Sequence, residues 1–414
     1  MTMKVSVYTL TSAISDPKII ERNSKEFLDD IAQTAHCDFD IKGEDFSDYN
    51  EADMPLIFIR TGGTEGKFRE IFSQLKGNIC LLTSGMSNSL AASMEILSFL
   101  RQQGRQGRIL HGSTSYIAKH LQMDFQVEQA CKQLSGARYG VIGKPSDWLI
   151  SSDVNREVLQ SKLGIEFVDI TIDELHQAYQ QIDEESPEWK ELMAEQVARD
   201  FDEHAPQCLV KYKQGAFKIY LALKQVVDKY RLNGFTLRCF DMLSLVHNTG
   251  CMALAMFNAQ GIPASCEGDT PALLTMAIGQ ALTGYTGFMA NPSRINVDTD
   301  EITFAHCTVP MNMVKSYSYD THFESGIGIG LKGEFAKSRA TIAKIAGDLG
   351  RAWFCETDLV DNLSERNLCR TQIVLNGQGF ADYFLTNPIG NHHIIFQGNQ
   401  AELFESFMKH LSTI

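Results

Sequence analysis

The chain has 414 residues, 44% of them hydrophobic and 21% charged, and carries a formal net charge of −14 at pH 7. That is ordinary soluble globular composition, long enough for two or three domains. The acidic balance argues against a nucleic-acid or anionic-membrane surface, which needs a cationic field, and no run approaches the roughly 18 apolar residues of a membrane span.

The N-terminus, M-T-M-K-V-S-V-Y-T-L, reads as a strand without the long apolar core and cleavage site of a signal peptide. The 10 cysteines are scattered with no CxxC pair. They read as reduced, mostly buried thiols, Cys251, Cys266 and Cys307 included, and a cytoplasmic protein is expected. Strands at Pro55–Arg60, Asn78–Leu82 and Arg108–Leu110 alternate with small-residue loops and helical patterns. That order predicts a parallel α/β unit over residues 1–136.

The pattern restarts at residue 137 with strands at 137–143 and 166–170. Gln180–Asp202 reads as solvated helix, with Ser186-Pro187 starting a fresh one. A helix over Phe217–Arg231 is expected to stop at Asn233-Gly234. A strand at Phe235–Phe240 then leads to Asp241. This second α/β unit is expected to span 137–290. From residue 291 the texture becomes mainly antiparallel β, a small barrel or sandwich. A hairpin is predicted around Asp298-Thr299-Asp300, with strands at Gly326–Leu331, Ala340–Ala346, Trp353–Thr357, Thr371–Leu375 and His392–Gln397. Ala401–Leu411 is the closing helix.

The candidate chemistry centres on A-S-C-E-G-D-T-P at 264–271, where carboxylates stand at the mouth of a buried helix. Asp269 or Thr270 suits the N-cap, with Pro271 just inside. Glu267 has no such structural duty and points toward a site. Asn291 ends F-M-A-N, His306 lies in F-A-H-C, and His392-His393 precede I-I-F. Neighbours on a strand alternate, so only one of the His pair is expected to ligate a metal. His322 and Glu324 are expected on one strand face, able to bind polar substrate groups or carry protons. Arg60 and the K-P-S-D-W loop with Trp148 suit polar contact and ring stacking.

The run C-E-G-D…L-T-M…L-T-G, then F-M-A-N, F-A-H-C and N-H-H-I-I-F-Q-G, resembles the L-fucose/L-arabinose isomerase superfamily, most of all its fucose-isomerase-like branch. G-V-I-G-K-P-S-D-W-L-I at 140–150, and R-C-F-D with N-T-G-C at 238–251, extend the resemblance over nearly the whole chain. It implies two Rossmann-like domains followed by an antiparallel β-barrel domain. It implies a homo-oligomer, a trimer or hexamer, that acts on a small-molecule sugar as an aldose–ketose isomerase through an enediol. A divalent cation, typically Mn²⁺, is implied, with Glu267 as ligand and base and His306 and His393 as ligands. Asn291 stands where the family pattern has its second carboxylate; an amide can ligate a hard cation but cannot shuttle a proton. Asp269, Glu324 and Asp241 are then the candidate second proton carriers. Two further expectations are a catalytically silent carbohydrate-binding relative, and an epimerase or lyase using the same site.

Overall fold

The computed structural model describes residues 3–14, 16–377 and 379–412. The chain divides into two compact units, Met1–Gln129 with Lys409–Ile414, and Ala130–Met408.

The first unit is a five-stranded parallel sheet of β1 (Met3–Leu10), β2 (Cys37–Gly43), β3 (Pro55–Ile59), β4 (Ile79–Leu82) and β5 (Gly107–Leu110), in the order β2-β1-β3-β4-β5. Along β3, Leu56 and Phe58 join one apolar cluster with Val5 and Val7. Ile57 and Ile59 join another with Tyr8 and Leu10. A sheet buried on both faces explains the continuous apolar runs. Edge strand β2, C-D-F-D-I-K-G, is largely solvent-facing and escapes a hydrophobicity reading.

The second unit holds a parallel sheet and a closed barrel. β6 (Arg138–Ile142), β7 (Glu166–Ile170), β8 (Gly234–Leu237) and β9 (Ala264–Cys266) form the sheet, in the order β7-β6-β8-β9. Ser186 caps the helix Pro187–Ala194, its hydroxyl accepting from the Trp189 N–H at 3.1 Å. The helix Lys213–Tyr230 stops differently from expectation. Arg231 takes the left-handed conformation (φ 52°), and Gly234 instead opens β8. Glycine is required there for clearance, because a Cβ would stand 2.6 Å from the Pro263 carbonyl oxygen.

Past β9 the chain turns into the helix Thr270–Thr283, with Asp269 as the N-cap and Gly284 ending it. This helix is apolar on nearly every face, as a fully enclosed helix should be. Thr275 Oγ1 accepts from the Ile345 N–H at 3.1 Å, and Gly279 lies flush against the Phe396 ring. The C-terminal part is an antiparallel barrel of β10 (Phe288–Asn296), β11 (Glu301–His306), β14 (Arg339–Ile345), β15 (Ala352–Asn362), β16 (Thr371–Asn376) and β17 (His393–Gln397). It closes in the order β10-β11-β16-β15-β14-β17. β12 (Ser316–Asp320) and β13 (Gly330–Glu334) pair separately.

The expected hairpin around Asp298-Thr299-Asp300 joins β10 to β11, with an irregularity beside Pro292 that accommodates a residue lacking an N–H. The strand expected from Gly326 begins only at Gly330. Gly326 and Gly328 take φ values of 65° and 67°, which interrupt an extended chain. His322 and Glu324 therefore lie in a turn, not on one strand face. Cys251, Cys266 and Cys307 are free and buried. No described helix is long and apolar enough to cross a membrane.

Candidate metal centre

Glu267 leaves β9 in a left-handed conformation, φ 63°, followed by Gly268 at 72°. A non-glycine residue there is strained and persists only where its surroundings over-determine it. They do here. The Ser146 N–H donates to the Glu267 carbonyl at 2.8 Å, and the Gly268 N–H donates to Leu237 at 3.1 Å. Gly268 also packs so tightly that a Cβ would stand 2.5 Å from the Lys144 carbonyl oxygen. The loop after β6 thus clamps the turn and fixes where the carboxylate points.

Two buried imidazoles meet that carboxylate. His306 ends β11, and His392 immediately precedes β17. One ligand atom from each of Glu267, His306 and His392 lies within 4.8 Å of the others. The His392 Nδ1 lies 2.8 Å from Asp269 Oδ2, while its Nε2 is 3.6 Å from Glu267 Oε1. Nε2 is buried without a hydrogen-bond partner among the described residues. The other Asp269 oxygen accepts the Ala272 N–H at 2.8 Å, so this carboxylate both caps the helix and aims the histidine.

The electrostatics follow from that packing. Burial alone would push both carboxyls up. For Glu267 the adjacent His392 imidazole and the Trp148 hydrogen bond win and hold it down to about 2. For Asp269 the Lys344 ammonium and His392 do the same, also to about 2. Burial would lower His392, but the two carboxylates raise it to about 9. Burial, reinforced by the His392 charge, drops His306 to about 3. The three side chains together could hold a metal ion. One carboxylate oxygen and two imidazole nitrogens suit Mn, Co, Fe or Zn, and Asp269 supplies the outer hydrogen bond that metal-bound histidines generally make.

The sequence-derived candidates divide accordingly. Glu267 and His306 converge. His393 is the expected C-terminal histidine ligand, but the side chain that the structure brings beside Glu267 and His306 is that of His392. His393 opens β17 facing the other way, its Nε2 2.9 Å from the Tyr383 hydroxyl and its Nδ1 3.0 Å from the Asn391 carbonyl. Both of its nitrogens are occupied within an aromatic nest of Trp353, Tyr383 and Phe384. Asn291 is half-buried on β10 opposite Ala305, its Oδ1 accepting from Asn391 Nδ2 at 3.2 Å. Its amide is thus tied to the loop that delivers His392.

Trp148 donates its indole N–H to Glu267 Oε2 at 2.7 Å and stands edge-on to Phe240, with ring centroids 5.0 Å apart. Phe240 in turn meets His322 at 5.5 Å. Glu324 is exposed and Asp269 fully buried. Arg60, in the other compact unit, donates to Ser24 Oγ at 2.8 Å and pairs with Glu21.

Sequence reasoning passed over Lys344, which is 1% exposed and has no hydrogen-bond partner for its side-chain nitrogen among the described residues. Its signal was a lone lysine inside the apolar run A-T-I-A-K-I-A.

No protein-family profile matches the chain. It is 28% identical over 137 residues to the sulfoquinovose isomerase of Clostridium sp. (strain MSTE9), which covers 30% of this chain and 31% of that protein. It is 22% identical over 224 residues to the sulfoquinovose isomerases of Priestia aryabhattai and Priestia megaterium (strain ATCC 12872 / QMB1551), 53% of this chain and 49% of each relative. The chain spans about half, or less, of the length of these curated relatives. The similarity is weak and covers only part of each protein.

Proposed function

We propose that this protein is a divalent-metal aldose–ketose isomerase of sugars, acting through an enediol. One observation carries the reading: Glu267, His306 and His392 converge in a buried group with an unpartnered Nε2 aimed into it. The similarity to sulfoquinovose isomerases supports the reaction class and makes sulfoquinovose the first substrate to test. Mn²⁺ is the cation to try first, and Asn291 is a fourth, amide ligand.

A divalent cation held by Glu267, His306 and His392 would supply Lewis acidity toward the substrate's oxygens. Glu267 stays ionised across the working pH range and accepts the proton that leaves the substrate carbon. Trp148 holds that carboxylate by one oxygen and offers its exposed indole face to the sugar ring. Asp269 and Lys344 act behind His392 and do not touch the sugar. We further propose that segments 1–136, 137–290 and 291–414 act as domains of a homo-oligomeric, cytoplasmic enzyme.

Purified protein loaded with Mn²⁺ is expected to hold about one ion per chain and to convert one member of an aldose panel to its ketose. A chain that binds no ion at any Mn²⁺ concentration defeats the reading. A second reading, a carbohydrate-binding protein without turnover, is favoured by Asn291, whose amide carries no exchangeable acid. Glu267→Gln separates the two: an isomerase loses turnover, whereas a binding protein keeps its affinity for sugar.

A further inference from the structure

Asn291 is an amide, Asp269 is fully buried, Asp241 is paired with Arg238 at 3.1 Å and Glu324 is exposed, which leaves open which group polarises the far side of the substrate. His322 is 8% exposed and lies edge-on to Phe240, which leads through Trp148 to Glu267. It is near enough to Glu267 and His306 for their charges to bear on one another.

The turn around His322 is tightly fixed. The His322 N–H donates to Ile327 at 3.1 Å, and the Gly326 N–H donates back to His322 at 3.0 Å. Thr249 Oγ1 holds Ile329 through both its N–H (3.1 Å) and its carbonyl (2.9 Å), and Gly328 presses against Thr249 so closely that no Cβ fits. Arg370 donates to the Thr321 carbonyl at 2.7 Å. Such fixing of a side chain beside a reactive centre is what preorganised catalysis requires.

The ring's hydrogen bonds define its tautomer. The Ser325 N–H points at His322 Nδ1 (3.4 Å), and the Ser325 hydroxyl lies 3.1 Å from the same atom while accepting from the Ile327 N–H. Nδ1 is therefore the acceptor, and the neutral ring carries its proton on Nε2. Burial and the nearby Arg370 charge lower the imidazole's proton affinity and keep it neutral, against a smaller opposing pull from Glu267.

We propose that His322 is a catalytic residue that donates a hydrogen bond from its neutral Nε2–H to the substrate carbonyl oxygen as that oxygen gains negative charge. No proton leaves the imidazole: the hydrogen bond shortens as charge develops, the oxygen then takes the proton released by the neighbouring substrate hydroxyl, and Glu267 returns its proton to the former carbonyl carbon as the ketose forms. A neutral histidine is suited to this, because an imidazolium would protonate the oxygen outright. The proposal rests on the isomerase reading and names the electrophile that reading lacks.

The test uses the Mn²⁺-loaded full chain and the sugar it converts best from the aldose panel. His322→Ala is expected to lower kcat about 100-fold, the usual loss for one such donor, with KM within about threefold and bound Mn²⁺ unchanged. His322→Gln, whose amide N–H can reach the same place, is expected to restore part of the loss. Long-range ¹H–¹⁵N spectra of the native protein are expected to show Nδ1 unprotonated and Nε2 protonated near pH 7. An Nδ1–H tautomer, or His322→Ala with native kcat, overturns the role of His322 and leaves the isomerase reading standing. A native protein that converts no sugar overturns that reading, and the proposal with it.

Discussion

Asp269, His392 and Lys344 differ from Trp148, Phe240 and His322 in how their positions are set. The first three are 0%, 0% and 1% exposed; Asp269 and His392 are fixed by hydrogen bonds, and the Lys344 side chain is buried within electrostatic reach of Asp269. Asp269 is held between a helix N-terminus, an imidazole and an ammonium. Burial makes each of these interactions strong and each omission costly, so this side tolerates little change. The other three are held by ring contacts and turns, and Trp148 is 53% exposed. Fixed charges in the interior suit a metal; half-open aromatic surface suits a variable sugar.

That difference can be challenged by substitution. The largest effect is expected from Glu267→Ala, which removes the carboxylate common to both sides. Metal analysis after dialysis should fall from about one Mn²⁺ per chain to none, with turnover lost. Asp269→Asn is the cleaner probe of the buried side, since asparagine caps a helix as well as aspartate does. Mn²⁺ affinity measured by titration should drop about 10- to 100-fold with the melting temperature little changed. A large loss of stability instead would mean that Asp269 matters mainly to the fold.

The two adjacent histidines should respond oppositely. His393→Gln is expected to cost about 1–3 kcal/mol in denaturant unfolding by stranding the Tyr383 hydroxyl, while Mn²⁺ binding stays native. His392→Gln should abolish tight Mn²⁺ binding.

The buried charges also set a pH dependence for the metal-free protein. Asp269 is depressed to about 2, so its contribution is present above its unfolded value near 4 and disappears as pH falls toward 2. His392 is raised to about 9, so its contribution is full below about 6.5 and is lost as pH rises through 9. The melting temperature of the metal-free protein should therefore fall between about pH 6.5 and 9, and His392→Gln should flatten that decline. The smallest effect belongs to the open side. Trp148→Phe keeps the ring and deletes the N–H to Glu267, and KM for the converted sugar should rise by only a few-fold, in line with one hydrogen bond.

Much of this arrangement is legible in the residues themselves. The apolar runs of β3, β4 and β6 and the cap sequence D-T-P mark the two parallel sheets and the start of the Thr270–Thr283 helix, because burial and capping are local demands. Glu267 is recognisable as a carboxylate without a structural duty. The choice between His392 and His393 is not legible. Alternation says that only one can face inward, but which one depends on the register of β17 against β10 and β14. The loop at 322–329 reads as a strand in sequence because G-I-G-I-G looks extended, whereas Gly326 and Gly328 adopt positive φ and Gly328 packs against Thr249.

The sequence by itself determined the α/β-then-β order, the turn that exposes Glu267 and the presence of imidazoles to meet it, all properties of short windows of chain. Only the tertiary structure decided that His392 carries the open nitrogen, that Asp269 aims it and that Lys344 balances the charge. Residues 267–269, 344 and 392 are far apart in sequence, and what joins them is the closure of the barrel over the helix Thr270–Thr283, which removes water and makes the pairing of those charges obligatory.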